Sequence, residues 1–242
     1  MSGVLTLASN GVLNIVAGGG NSLYGLVLTN YGTVNWSNTD IYSHGPNNAQ
    51  IYNYGLWNVQ SDNEFYGSYY GGSTVFDNFG TFLKSGSTNT TTLDSGVVFN
   101  NSGAVRVRSG TLSINGGGVN SGSGVFVTVN GAFLDLAGID FANGATIDGS
   151  DAVDLGGNTV VNGVLTGKNL RLVGGTLSGT NVLQGTLTWS GGSLAGVLTV
   201  ASNSVLNIVA GGGDAMDGLV LTNFGTVNWT NTDIYSQGPN NA

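Results

Sequence analysis

The amino-acid sequence predicts an all-β chain, wound as a single-stranded parallel β-helix (β-solenoid) with about 24 residues per coil. Three observations carry that prediction. Residues 3–49 recur at 196–242 with a constant offset of 193, and 38 of the 47 aligned positions are identical. Inside that unit a shorter Asn-x-Gly marker returns, as Asn30-Tyr31-Gly32, Asn53-Tyr54-Gly55, Asn78-Phe79-Gly80, Asn101-Ser102-Gly103 and Asn223-Phe224-Gly225. Around each marker, apolar side chains fall at every second position, the period of a strand with one side turned inward.

The marker continues in weaker form at Gly11, Gly131, Gly163, Gly185 and Ser204. Steps between markers run from 19 to 32 residues, and eight of them separate Gly11 from Ser204. Each step is expected to be one coil. Two residues past the marker stand Leu13, Val34, Trp57, Phe82, Val105, Phe133, Leu165, Leu187, Leu206 and Val227, all apolar. Four past it stand Ile15, Trp36, Val59, Val107, Trp189, Ile208 and Trp229, with Lys84, Asp135 and Gly167 as exceptions. These columns are expected to fill the interior.

Asn30, Asn53, Asn78, Asn101 and Asn223 are expected to form an inward ladder whose amides satisfy buried corner groups. The marker glycine suits a turn of positive φ. No amphipathic helix is expected, because Glu and Lys are nearly absent and Gly interrupts every long window. A sandwich or up-and-down barrel fits less well. Hairpins do not require residues of one type at a fixed coil spacing.

The organisation read from the sequence is one continuous solenoid over 1–242: a long repeat, 3–195, and a partial second copy, 196–242, cut from a longer tandem array. Residues 137–180 depart from the pattern, with long marker steps and most of the local acid, and are expected to hold a loop excursion or a coil of altered shape.

Composition bounds the function. The chain has 43 Gly, 2 Pro, no Cys, 40% hydrophobic residues and 7% charged residues, with a formal net charge of −8. The apolar fraction argues against a disordered polar tract. Five basic residues supply no patch for phosphates, which excludes nucleic acid as a partner. No apolar run approaches the ~20 residues of a membrane-spanning helix, so no membrane insertion is expected in this segment. Without Cys there is no disulfide, thiolate nucleophile or Cys metal site.

Few residues offer chemistry. The one histidine, His44, is Gln237 in the second copy, so a His-based metal site or triad is not expected. Asp140, Asp148, Asp151 and Asp154 form the one acidic cluster, a candidate weak calcium site, since calcium takes six to eight oxygen ligands. Their spacing matches neither an EF-hand nor the glycine-rich calcium nonapeptide. No other cofactor is expected. The aromatic run Phe65, Tyr66, Tyr69 and Tyr70 is the candidate glycan contact, because exposed rings beside acids and amides stack on sugars. The glycines at 18–20 and 211–213 lack the Lys-Ser/Thr of a phosphate loop and read as turn glycines. The copies differ most at 21–24 against 214–217, which suggests an exposed loop.

The motifs NYGTVNW, NYGLWNV, NFGTFLK, NSGAVRV and NFGTVNW, with GTLTWSGGSLAGVLTV at 185–200, resemble the β-helical stalks of large bacterial surface proteins. The nearest types are filamentous-haemagglutinin-like adhesins and autotransporter passenger domains, and the resemblance covers most of 3–136 and 180–242. It implies a right-handed helix, export, and a role in adhesion or as an extended spacer. Low Lys and abundant Asn, Gly, Ser and Thr agree with an extracellular place on a bacterial cell surface.

The function expected is therefore a repetitive structural segment of a stalk, filament or adhesin body, and not an enzyme. Its expected partners are further copies of its repeat, in cis or end to end, together with surface glycans or a host or neighbouring cell surface. The alternatives are a carbohydrate-binding or polysaccharide-processing β-helix that uses the aromatic run 65–70, and a head-to-tail self-assembling fibre module.

Overall fold

Alternating apolar and polar residues build short strands, each paired in parallel with strands one coil before and one coil after. A computed structural model describes the chain apart from residues 17, 130, 143, 144, 150 and 238–242, and apart from the side chains at 145, 148, 149 and 237. Among the described residues 27 strands join in one sheet, wound into a β-solenoid of about 11 turns. Every strand pairing is parallel, as in Val34↔Trp57 and Phe76↔Phe99. No helix in them is long and apolar enough to cross a membrane.

Each coil carries three strand faces. On the first lie Ala49–Asn53, Thr74–Asn78 and Val97–Asn101. On the second lie Thr33–Trp36, Leu56–Val59 and Thr81–Lys84. On the third lie Ile41–Ser43, Glu64–Tyr66 and Thr90–Leu93. The long strands Asn158–Leu172 and Thr176–Trp189 bend through all three.

Inward columns make the core. On the second face Val34, Trp57, Phe82, Val105, Phe126 and Ile147 stack in register and are buried. On the third, Ile41, Phe65, Leu93, Ile114, Leu136, Leu155, Leu172, Trp189 and Ile208 do the same. Each interior side chain buries its area against the coils on either side, so stability accumulates coil by coil. Trp36 is 0% exposed under the next coil, whereas its copy Trp229, on the last coil, is 61% exposed.

The coil is shorter than the markers suggest: roughly 21 residues per turn rather than about 24. Markers and coils part company after Gly103. Val105 stacks on Phe126, not on Phe133, and Phe133 pairs with Thr111 on the third face. Leu187, Leu206 and Val227 stand on the third face too, each in register with the next. Alignment on the marker thus merges two faces. All faces share the same inward alternation, so residue type alone cannot tell them apart. The stretch 137–180 continues the parallel pairing among its described residues, with steps that contract to 19 at Leu134↔Val153 and 17 at Val153↔Leu170.

The glycines of the first four Asn-x-Gly markers are needed for a reason other than positive φ. Gly32, Gly55, Gly80 and Gly103 have ordinary negative-side backbones. A Cβ on Gly55 would lie 2.1 Å from the Gly32 carbonyl oxygen, and one on Gly80 2.2 Å from that of Gly55. Corners therefore rest on one another at backbone contact, and only hydrogen fits between them. Positive φ is used at the weaker markers Gly131, Gly163 and Gly185, as the sequence suggests, and at Gly19 and Gly20 and their copies Gly212 and Gly213.

The segment differing between copies is exposed only in part: Tyr24 and its copy Asp217 face solvent, but Leu23, Asp214 and Ala215 do not. Leu23 is 3% and Ala215 2% exposed, and Asp214 is fully buried, accepting a bond from the Thr232 hydroxyl at 2.8 Å. In the first copy Asn21 Nδ2 donates to Thr39 Oγ1 at 3.1 Å instead. The exchange swaps one partly buried hydrogen bond for another with donor and acceptor reversed.

Lys84 breaks the apolar column between Val59 and Val107 and is fully buried. Its ammonium donates to Asp62 Oδ1 at 3.1 Å and Ser87 Oγ at 2.8 Å. Burial pushes the Lys84 ammonium below the ordinary lysine value against the pull of Asp62. Burial also acts to raise the Asp62 carboxyl, but the bonds from Ser87 and Lys84 outweigh it and hold the group below its ordinary value. Removing one partner of such a pair costs more than replacing the pair. Asp62→Ala is expected to cost about 3 kcal/mol, and Lys84→Met with Asp62→Leu to stay within about 1 kcal/mol of the parent, read from denaturant midpoints. Asp62 contributes stability above the ordinary carboxyl range, and that contribution is lost as pH falls through its lowered folded value. Lys84 acts in the same direction over a higher pH window: its burial penalty is relieved as pH rises through its lowered value towards 10.5.

Candidate functional site

The aromatic run and the glycine loop meet in one open groove of about 610 Å³, lined by Gly18–Gly20, Ser22, Asn38, Thr39, Asp40, Tyr42, His44, Tyr69 and Tyr70. It follows the edge where the second face turns into the third. Local sequence explains the wall. Asn38 adopts φ 56°, a conformation asparagine tolerates, and the Trp36 indole donates to the Thr39 carbonyl at 2.6 Å, closing the turn from the core side. Asp40 is thereby placed to accept from the Glu64 amide at 2.9 Å and from the Tyr42 hydroxyl at 3.3 Å.

The rings form a continuous set. Tyr42 stacks on Tyr66 with centroids 4.9 Å apart and planes 7° from parallel, and meets Tyr69 edge-on at 4.8 Å. Tyr70, 76% exposed, packs on Tyr69 at 4.5 Å from a left-handed backbone, φ 52°. That conformation is costly for a bulky residue and holds the ring out over the groove. His44 lies between Tyr24 at 4.6 Å and Tyr69 at 5.0 Å, its Nε2 3.1 Å from Ser22 Oγ.

Three of the phenols are pushed above the ordinary tyrosine value. Tyr66 is pushed up to about 12 by its hydrogen bond to Glu64 and by burial. Tyr42 is raised by burial and by Asp40, and Tyr69 by its hydrogen bond with Tyr70. The groove therefore offers hydroxyl donors, ring faces, the His44 imidazole, one carboxylate and backbone groups, and no Lys or Arg is among the described residues that line it.

Of the four residues expected to contact a glycan, Tyr69 and Tyr70 line the groove and Tyr66 supports it through Tyr42. Phe65 is corrected: strand alternation turns it inward, where it is fully buried on the third face against Trp36. Asp40, Tyr42 and the glycine loop were missed because they lie some 25 to 50 residues earlier and join the run only through coil stacking.

Of the acidic cluster, Asp140 and Asp154 stand on different faces. Asp140 Oδ1 accepts from the Val160 amide at 2.9 Å on the first face. Asp154, on the third face, is held by Arg171 at 2.6 and 2.8 Å. The Asp151 carbonyl accepts from Thr128 Oγ1, and the Asp148 side chain lies outside the described residues. Among the described residues no three His, Cys, Asp or Glu side chains converge as a metal site. Alternating faces scatter what the sequence clusters.

The asparagine ladder is a continuous chain of amides. Asn30 Nδ2 donates to Asn53 Oδ1 at 2.7 Å, Asn53 to Asn78 at 2.7 Å, Asn78 to Asn101 at 2.8 Å, and Asn101 to Asn120 at 2.8 Å. Each of the first three also donates to a backbone carbonyl of the next coil: Leu56, Thr81 and Ala104 respectively. Asn120 belongs to the ladder although the markers skipped it; its signal was Asn120-Ser121-Gly122, 19 residues after Asn101. Asn223 stands apart, exposed on the last coil and paired with Val200. It keeps only the corner bond from the Gly225 amide at 3.0 Å, as Asn30 does with Gly32.

The geometry defines the chain as a β-solenoid repeat protein. Compared with known proteins, it matches no protein-family model, no curated protein and no solved structure.

Proposed function

We propose that the chain is a length-giving segment of a bacterial extracellular stalk, filament or adhesin body, without enzymatic activity of its own. The observation that supports this reading is the third-face core column, unbroken from Ile41 to Ile208. A rod grown by stacking identical layers needs no other device. At about 4.8 Å per coil, 11 coils make a rod of roughly 50 Å. The test is antibody against this segment applied to intact cells of the source organism. Labelling of unbroken cells that disappears after external protease is expected; labelling only after lysis rejects the reading.

A second reading, glycan binding, is supported by the groove. Its exposed ring faces and hydrogen-bonding groups, with no Lys or Arg among the described lining residues, suit a neutral sugar. On a glycan array, Tyr70→Ala is expected to lower any neutral-glycan signal at least tenfold with the fold unchanged. A parent protein that binds no glycan on the array, or a signal that Tyr70→Ala leaves unmoved, rejects the groove as that site.

A further inference from the structure

The two copies of the long repeat do not stand on the same face. Trp36 pairs with Ile15 below and Val59 above, on the second face. Its copy, Trp229, pairs with Ile208, the copy of Ile15, and Ile208 continues the third-face column through Trp189, Leu172 and Leu155. Ile41 is the third-face residue of the coil that holds Trp36, and nine register steps lead from it to Trp229. The 193-residue repeat therefore spans nine turns and one further face. Nine and a third turns of 193 residues give roughly 21 residues per turn, the observed coil.

Local geometry survives the move. Trp36 and Trp229 donate to the carbonyls of Thr39 and Thr232 at 2.6 and 2.7 Å. Asn38 and Asn231 share φ 56°. Asn35 bonds Asn14 on the outside as Asn228 bonds Asn207, at 3.0 and 2.9 Å. The groove also recurs, about 550 Å³ over Gly211–Gly213, Asn231–Asp233 and Tyr235, now on the edge between the third and first faces.

We infer that a tandem array of this unit is a rotating display: each copy carries the same groove to the next edge of the rod, and every third copy returns it to the first. The axial spacing is about 45 Å per copy at ~4.8 Å per coil. The interaction surface this makes fits partners that approach from any side, such as glycan chains on a facing cell, because no orientation of the rod hides all grooves. The rotation itself stands on register alone; its value for binding rests on the array and glycan readings above.

The absence of Cys allows clean spin labelling of the full chain. Asp135 and Val127 face outward on the third and second faces of one coil, and Asn228 is exposed. Five register steps link Asp135 to Asn228, about 24 Å at ~4.8 Å each. In pulsed dipolar measurements, Asp135→Cys with Asn228→Cys is expected to give the shorter distance, and Val127→Cys with Asn228→Cys the longer. Thr92→Cys and Leu83→Cys, each paired with Asn228→Cys, are expected to repeat that order and serve if either first pair fails to fold. Equal or reversed distances overturn the rotation. Glycan binding enters neither measurement, so its failure and this one are distinguishable.

Discussion

Gly80→Ala is expected to be among the most destabilising single substitutions in the chain, costing about 4 kcal/mol, the upper end for a point change. The added methyl would lie 2.2 Å from the Gly55 carbonyl oxygen and 2.6 Å from the Tyr54 carbonyl carbon, both backbone atoms with no rotamer to yield. Relief requires parting two coils, which strains the corner bonds from Phe79 and Gly80 to the Asn53 carbonyl, both 2.8 Å. Gly131→Ala is the control: its positive φ strains the new residue, but among the described residues no atom beyond its chain neighbours lies within 4 Å of the Cβ. It is expected to cost about 1 kcal/mol. Coil-resolved hydrogen exchange should show protection lost around residues 53–81 in Gly80→Ala. Equal stability of the two variants would remove close corner contact as the cause.

Asn78→Ala is expected to cost a similar amount, about 3–4 kcal/mol, by a different route. It strands the Asn53 amide that donates to Asn78 Oδ1 at 2.7 Å and the Asn101 oxygen that accepts from Asn78 Nδ2 at 2.8 Å. Each unpaired buried polar group costs about 1–3 kcal/mol. Asn78→Asp sharpens the test. A carboxylate there still accepts from Asn53 but offers nothing to Asn101 Oδ1, whereas a protonated acid donates. Burial raises the folded pKa of such a group, so its stability deficit should grow as pH rises through that value and shrink in acid. Denaturant midpoints at acid and neutral pH measure this. A pH-independent deficit would mean the ladder tolerates an acceptor in place of the donor.

Both predictions rest on the Asn-x-Gly corner, which was legible as a recurring motif but misread in mechanism. Asparagine's inward role followed from its fixed offset to the apolar columns. The glycine's role did not: a turn of positive φ and a corner stacked at backbone contact demand the same residue. Asn120 was legible as another Asn-x-Gly, but its 19-residue step fell below the average and hid it. The groove was half legible. Tyr69 and Tyr70 announced themselves as an aromatic run, while Asp40 and Tyr42 join them only because a coil of roughly 21 residues lays one segment over the next.

By itself the sequence determined that the chain is all β, that its strands turn alternate side chains inward, and that like residues stack from coil to coil. Local alternation and corner chemistry suffice for that, because each coil repeats the same demands. Only the tertiary structure decided how many coils a repeat holds and on which face each copy stands. Three faces share one inward pattern, so the apolar period cannot count them. The hydrogen-bond register does, and it sets Trp36 on the second face and Trp229 on the third.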